Sequence, residues 1–289
     1  MFRLGVDTWL WACTFEEKHL GCIAESKELG AQVIDFSIND PFVFPAQEAA
    51  ELLRKHGIDS VTSTALPLSC NPISPVKEER EAAKRFLKKL IDVTVELGAP
   101  LTGGVNYCAS GYHGTGLRTA EETEMCAEYL HEICAYAADR GIDVAMEPVK
   151  RFESHFINTA AQAMEMISIV NVPNLKVHLD TFHMNIEEAD FAEAILTCGD
   201  KLAHMHLVDS NRGAPGMGHV PWIDVFKALK KIDYKGAGCI ETFNPQTLDV
   251  TAPLTFLTRR FRETPGEIVE FGLRYLRAIE TIVSCSADC

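Results

Sequence analysis

Basic residues are in short supply. The 289-residue chain carries 27 Lys and Arg against 41 Asp and Glu, a formal net charge of −14 at pH 7. Such a surface speaks against nucleic-acid binding, which draws affinity from cationic side chains that displace phosphate counterions. It is compatible with a small neutral or metal-bound substrate, and otherwise describes a soluble acidic surface. The ten cysteines include no Cys-x-x-Cys pair, which removes the common zinc and dithiol motifs. No apolar run approaches the ~20 residues that span a bilayer, so no membrane partner is expected. The N-terminus, Met1-Phe-Arg-Leu-Gly-Val-Asp7, reads straight into a strand and lacks the regions of an export signal. The expectation is a cytoplasmic protein with reduced, mostly buried thiols. Cys285 and Cys289 are the exceptions, expected to be exposed in a polar tail from about residue 284. No Gly-rich phosphate fingerprint follows the first strand, where Asp7-Thr-Trp-Leu-Trp11 stands instead. Nor does any low-complexity linker interrupt the chain, so residues 1–289 read as one domain.

What is present is an alternation of short β-rich runs and longer helical patterns. The strands are predicted at Arg3–Thr8, Val33–Ser37, Ser60–Ala65, Pro100–Gly104, Asp143–Glu147, Leu175–Asp180, Leu202–Leu207 and Ala237–Glu241. The clearest helix is Pro75–Leu97, where Ala82, Phe86, Leu87, Leu90, Val93 and Leu97 keep a three-to-four-residue spacing among charged neighbours. Thr119–Arg140 opens with Thr119 and Glu122 as a capping box. Pro221 is placed in the first turn of the helix bearing Phe226 and Leu229, and Pro265–Val283 is the last helix. Eight strand–helix units predict an α/β protein, a (β/α)8 TIM barrel. A doubly wound open sheet shares the alternation, but the missing phosphate fingerprint and the polar strand ends described next favour the closed ring.

Four runs end in a polar residue: Val144-Ala-Met-Glu147, Leu175-Lys-Val-His-Leu-Asp180, Ala203-His-Met-His206 and Gly238-Cys-Ile-Glu241, spaced 33, 26 and 35 residues apart. One strand plus its crossover takes about 30 residues. Glu147, Asp180, His206 and Glu241 therefore recur once per unit, at the barrel rim where active sites form. An unpaired charge at a buried strand end is costly, so four in phase call for a partner. Three carboxylates and an imidazole without cysteine point to Mn²⁺, Mg²⁺ or Co²⁺ rather than a structural Zn²⁺. His204 alternates with Met205 and faces the same side as His206. It is read as a hydrogen-bonded interior residue, and His206, nearer the rim, as the ligand. His183 is placed in a loop beside the site, and Arg212 six residues past His206 within reach of it. Trp9, Trp11 and Phe243 are candidates for apolar walls or plain core. Lys150, Arg151 and Glu153 by themselves read as a solvated charge run. The segments Asn106–Gly116 and Asn211–Pro221 read as long βα loops that build the site.

The segment Arg151-Phe-Glu153 followed by Asn158-Thr-Ala-Ala161, then His178-Leu-Asp-Thr-Phe-His-Met-Asn-Ile-Glu-Glu188, resembles the ketose 3-epimerases of the D-tagatose and D-allulose (D-psicose) type. So do His204-Met-His206, Ser210-Asn-Arg212 and Pro215-Gly-Met-Gly-His219. These enzymes belong to the xylose-isomerase-like barrels. The resemblance is continuous from about residue 140 to 245; the first hundred residues agree in pattern more than in letters. It implies one divalent metal per subunit, usually Mn²⁺ or Co²⁺, held by Glu147, Asp180, His206 and Glu241. It also implies a ketose gripped by Glu153, His183 and Arg212, proton transfer by Glu147 and Glu241, and a homodimer or homotetramer. The chain departs from the family at Glu147-Pro-Val-Lys-Arg151, where Glu-Val-Val/Leu-Asn-Arg is common. It also has Val208-Asp209 in place of Gly-Glu, Ile240-Glu-Thr-Phe243 in place of Met-Glu-Pro-Phe, and Asp7 where an apolar wall residue is frequent.

Epimerising C3 of a ketose means removing the proton next to a carbonyl and returning it on the opposite face through a cis-enediolate. Two facing carboxylates perform this, one as base and one as acid. An aldose–ketose isomerase on the same barrel is the alternative, differing in the carbon that receives the proton. A multi-zinc, endonuclease-like barrel is disfavoured by the acidic charge, by the lack of a basic, aromatic-rich groove and by a rim that offers fewer histidine ligands than such a site needs. A non-catalytic sugar binder is disfavoured by the presence of both glutamates with His183 and Arg212.

Overall fold

The computed structural model describes residues 2–243 and 263–285. Among these residues, strands β1 (Arg3–Asp7), β2 (Val33–Ser37), β3 (Asp59–Ala65), β4 (Leu101–Val105), β5 (Asp143–Met146), β6 (Leu175–Asp180), β7 (Leu202–His206) and β8 (Ala237–Ile240) run in chain order around a closed parallel barrel. β8 pairs back onto β1 through Arg3–Ala237 and Val6–Ile240. The expected (β/α)8 architecture is the observed one, with strand ends within a residue of their predicted positions. The helices are α1 (Gly21–Glu28), α2 (Ala46–His56), α3 (Lys77–Glu96), α4 (Ala120–Ala138), α5 (Ala160–Val170), α6 (Thr181–Glu187), α7 (Phe191–Cys198), α8 (Trp222–Lys231) and α9 (Pro265–Cys285). No helix among the described residues is long and apolar enough to cross a membrane.

Strand alternation explains how a packed barrel also delivers a polar rim. Outward residues such as Leu4, Val6, Ile34 and Phe36 join the helices in the main core. A separate inner cluster of Val33, Val61, Leu101, Ala145, Ala237 and Cys239 fills the barrel floor. Two residues further along a strand is the same face one layer higher. Above Val33 comes Asp35, above Ala145 comes Glu147, and above Cys239 comes Glu241. On these three strands the barrel interior thus turns from apolar to ionisable within one residue pair.

Gly104 is needed for that geometry. It adopts φ +98°, and a Cβ there would stand 2.1 Å from the Thr64 carbonyl oxygen on β3. Its own carbonyl accepts the Glu147 amide at 3.0 Å. The close approach of β4 to β3 therefore also sets the backbone of the first rim carboxylate.

Some details differ from expectation. On α3 the buried small residue is Ala83 rather than Ala82. Pro221 occupies the cap position just before α8, not its first turn. The α4 capping box forms as expected between Thr119 and Glu122. The described cysteines are all free, and Cys285 is exposed; Cys289 lies outside the described residues.

Candidate active site

The four strand-end residues converge. His206 Nδ1 lies 3.6 Å from Glu147 Oε1, 3.9 Å from Asp180 Oδ2 and 3.5 Å from Glu241 Oε1. All four side chains are buried. Asp180 does two jobs. Its Oδ1 caps α6 by accepting the Phe182 and His183 amides, and its Oδ2 faces the cluster. That cap starts a short helix where the sequence suggested a loop, and it turns His183 inward, buried rather than on the surface.

The donor set fits a divalent cation. Glu147, Asp180 and His206 each offer a ligand atom within 4.8 Å of the others. His206 Nδ1 is buried without a hydrogen-bond partner among the described residues and points into the carboxylates. Burial disfavours a charged imidazole, but Glu241, Asp35 and Glu147 outweigh it and hold His206 well above its ordinary range. The group is built to stabilise positive charge at this point, and carboxylate oxygens with one imidazole suit a hard or borderline metal ion. Glu147 and Glu241 are driven in opposite directions. Burial raises Glu147 to about 7, with His206 offsetting part of the rise. Burial also acts on Glu241, but Arg212 and His206 overcome it and hold the carboxyl below its usual value.

Arg212 is fixed from several sides. Its backbone is left-handed at φ +59°. Nη1 donates to Asp180 Oδ2 at 2.7 Å and to Glu241 Oε2. The guanidinium lies 4.3 Å from the Phe182 ring centre and 5.0 Å from that of Phe243. Nη2 stands 3.1 Å from His183 Nε2. The Lys150 amide donates to His183 Nδ1 at 3.2 Å, and burial holds that ring well below its ordinary pKa and so neutral. A neutral imidazole that accepts at Nδ1 carries its hydrogen on Nε2. Two donors, His183 Nε2–H and Arg212 Nη2–H, therefore lie side by side, and an oxygen acceptor within reach of both would satisfy them.

The site opens into a cavity of about 270 Å³. The second half of the barrel contributes Glu147, Glu153, His183, His206, Arg212, Glu241 and Phe243 to its lining. The first half supplies the opposite wall, including Trp9, Asn39, Leu66, Pro67, Val105 and Ser110. Trp9 and Phe243 meet edge to face with ring centres 5.3 Å apart. Trp11 takes no part; its Nε1 donates to Glu25. Asp7 lies beneath the wall, fully buried, accepting from the Trp9 amide and the Ser37 hydroxyl.

In the charge run after Glu147, Arg151 stays exposed, as expected of a solvated segment, whereas Lys150 and Glu153 fold inward. Lys150 pairs with Glu153, both side chains only 13–14% exposed. Burial and the nearby Arg212 lower the Lys150 ammonium to about 8. Arg151 grips Glu187 through the guanidinium and the backbone amide. His204 is a hydrogen-bonded interior residue, as read from the strand pattern, and donates to Asp35. Asp35 itself was not anticipated. A carboxylate in the middle of a buried strand is a signal of its own, since such a charge requires partners.

Asp209 organises the loop that carries Arg212. Its carboxylate accepts from the amides of Ser210, Gly216 and Val220 and from Trp222 Nε1, at 2.8–3.1 Å. Burial raises its pKa, but these N–H donors outweigh it and the carboxyl sits below the ordinary 3.8. A depressed folded-state pKa stabilises the fold fully above that ordinary value, and the contribution fades as pH falls through the lower one. Asp209→Asn is expected to cost about 1–3 kcal/mol near neutral pH by leaving buried donors poorly matched. In thermal melts the gap from the parent should narrow steadily below pH 3.8; a gap independent of pH would contradict this account.

Comparison with known proteins places the chain. Residues 23–279 match the model of the family described as xylose isomerase-like TIM barrel. The D-psicose 3-epimerase of Agrobacterium fabrum is 38% identical over 244 residues, covering 83% of this chain and 84% of that protein. The L-ribulose 3-epimerase of Methylomonas sp. is 33% identical over 228 residues, 78% of this chain and 79% of that protein. A crystal structure of D-allulose 3-epimerase from Methylomonas sp. in complex with D-allulose superposes with a TM-score of 0.90 at 28% identity, covering 96% of each chain.

Proposed function

We propose a reaction for a chain that belongs to the xylose isomerase-like TIM barrel family and, within it, to the ketose 3-epimerases: the metal-dependent inversion of free ketoses at C3. The observation that carries this reading is the arc Glu147–Asp180–His206–Glu241, in which the two glutamates stand at the ends and flank the ligands between them. Glu147, Asp180, His206 and Glu241 hold the cation, Mn²⁺ being the best match to the donor set, with Co²⁺ or Mg²⁺ as substitutes. When bound, a divalent cation supplies Lewis-acid stabilisation of negative charge on the sugar oxygens.

The chain's own residues perform the rest. One glutamate removes the C3 proton and the other returns a proton to the opposite face; for the reverse epimer they exchange roles. His183 Nε2–H and Arg212 Nη2–H converge on one sugar oxygen and fix its orientation. Glu153, anchored by Lys150, accepts from a sugar hydroxyl. Trp9 and Phe243 close the cavity with apolar surface that keeps bulk water from the deprotonated sugar.

The test is a panel of free ketohexoses and ketopentoses incubated in D₂O with Mn²⁺ after chelator treatment. The expected result is interconversion of C3 epimers with deuterium at C3. Label at C1 or C2 with an aldose product would replace this reading by aldose–ketose isomerisation, and turnover confined to phosphorylated sugars would overturn it.

A further inference from the structure

Beneath the rim, Asp35 occupies the centre of β2 with no exposure to solvent. Its Oδ2 is shared by two rings, His204 Nε2 at 2.7 Å and His206 Nε2 at 3.0 Å. Its Oδ1 accepts from the Ser63 hydroxyl at 2.9 Å. Ser63 Oγ lies 3.1 Å from Ser37 Oγ, which donates to Asp7 at 2.6 Å, and Asp7 is in turn held by the Trp9 amide. Asp35 is thus the middle of a buried chain running from β1 to β7.

An ionised carboxylate only accepts hydrogen bonds, so the nitrogen facing it must carry hydrogen. For His206 that nitrogen is Nε2. A neutral imidazole then has one lone pair left, on Nδ1, and Nδ1 is the atom that faces Glu147, Asp180 and Glu241. Without Asp35 the ring is free to place its hydrogen on Nδ1, where it blocks ligation, or to rotate away from the cluster. We propose that Asp35 is a positioning residue for the metal centre, selecting the Nε2–H form of His206 and aiming its Nδ1 at the ion. This rests on the metal reading above and adds a residue to it. The Ser63 hydroxyl, donating to Oδ1, holds Asp35 in register. His204, which donates to the same oxygen, fixes that oxygen from the other side.

An outer carboxylate that orients a ligating histidine typically changes metal affinity by about 10–100-fold when removed. The experiment titrates Co²⁺ into metal-free parent and Asp35→Asn protein, reading the visible Co²⁺ spectrum against a competing chelator. The expected result is a fold intact by circular dichroism, Co²⁺ affinity weakened about 10–100-fold and a shifted ligand-field band. Unchanged affinity and spectrum in a folded variant would overturn the proposal while leaving the metal centre standing. Parent protein that binds no Co²⁺ would overturn both. Should Asp35→Asn fail to fold, ¹⁵N spectra of histidine-labelled parent loaded with diamagnetic Mg²⁺ decide the matter. The proposal requires hydrogen on His206 Nε2 and none on Nδ1, and the reverse pattern refutes it.

Discussion

Glu147→Gln and Glu241→Gln are each expected to abolish C3 epimerisation, lowering kcat by about 10²–10⁴-fold, the range a positioned acid or base contributes. An amide keeps one oxygen for ligation but takes up no proton at neutral pH. Each variant should therefore be assayed at saturating Mn²⁺, with bound metal measured, so that lost chemistry is separated from lost ion. A second readout distinguishes the roles. With one glutamate gone, the other still removes the proton from its own face. Each variant should then exchange the C3 hydrogen of one epimer with D₂O and leave the other epimer unlabelled, and the two variants should show opposite preferences. Near-full turnover by either variant with metal bound would sink the two-carboxylate scheme. Exchange of both epimers by one variant would show a single base serving both faces.

Stripping the divalent ion should be as severe. Three buried carboxylates, Glu147, Asp180 and Glu241, crowd one imidazole. Arg212 bridges only two of them, Asp180 and Glu241. In the metal-free protein Glu147 has no arginine partner among the described residues and burial raises its carboxyl to about 7, so the site lacks the cation that would favour its ionised form. Chelation is expected to reduce turnover to the order of 1% or less and to lower Tm, and Mn²⁺ should restore both. An ion at one hundred times its dissociation constant adds about 2.7 kcal/mol to the stability of the native state. For a chain of this size that corresponds to a rise in Tm of roughly 5 °C. Full activity in protein shown to be metal-free by elemental analysis would remove the cation from the mechanism.

The barrel and its four polar rim residues are legible in the sequence because both depend on periodicity. Parallel strands buried on two faces read as short apolar runs, and a polar residue at the same phase of successive units marks the rim. Residues whose role depends on contacts between units were harder to read. Asp35 sits inside the run Val33-Ile-Asp-Phe-Ser37, away from any strand end, and its partners lie 169 and 171 residues away in the chain. Lys150 resembled a solvated cation because the pairing with Glu153 and the contact with the Phe182 ring depend on how the loop folds back. The sequence places His183 beside the site but not in a helix, because Asp180 serves both as a rim residue and as the cap of α6. Asp209 had a visible signal, the change from Gly-Glu to Val-Asp, yet the four donors it gathers come from a loop whose path the spacing alone does not define.

The cavity has a seam. Its ionisable lining groups are borne by β5 to β8 and the segments that follow them, whereas the facing wall of Trp9, Asn39, Leu66, Pro67, Val105 and Ser110 belongs to β1 to β4 and theirs. Under the proposed function, drift in that wall is expected to alter which hydroxyl pattern fits, provided Asp35 and Gly104, the front-half residues that touch His206 and Glu147, are kept. The fold is therefore a natural candidate for half-barrel recombination. Grafting residues up to about position 140 from a relative that keeps Asp35 and Gly104 onto this chain's remainder is expected to exchange the sugar-facing wall alone, and a library confined to Trp9, Asn39, Leu66, Pro67, Val105 and Ser110 explores sugar preference while leaving the rear face unchanged.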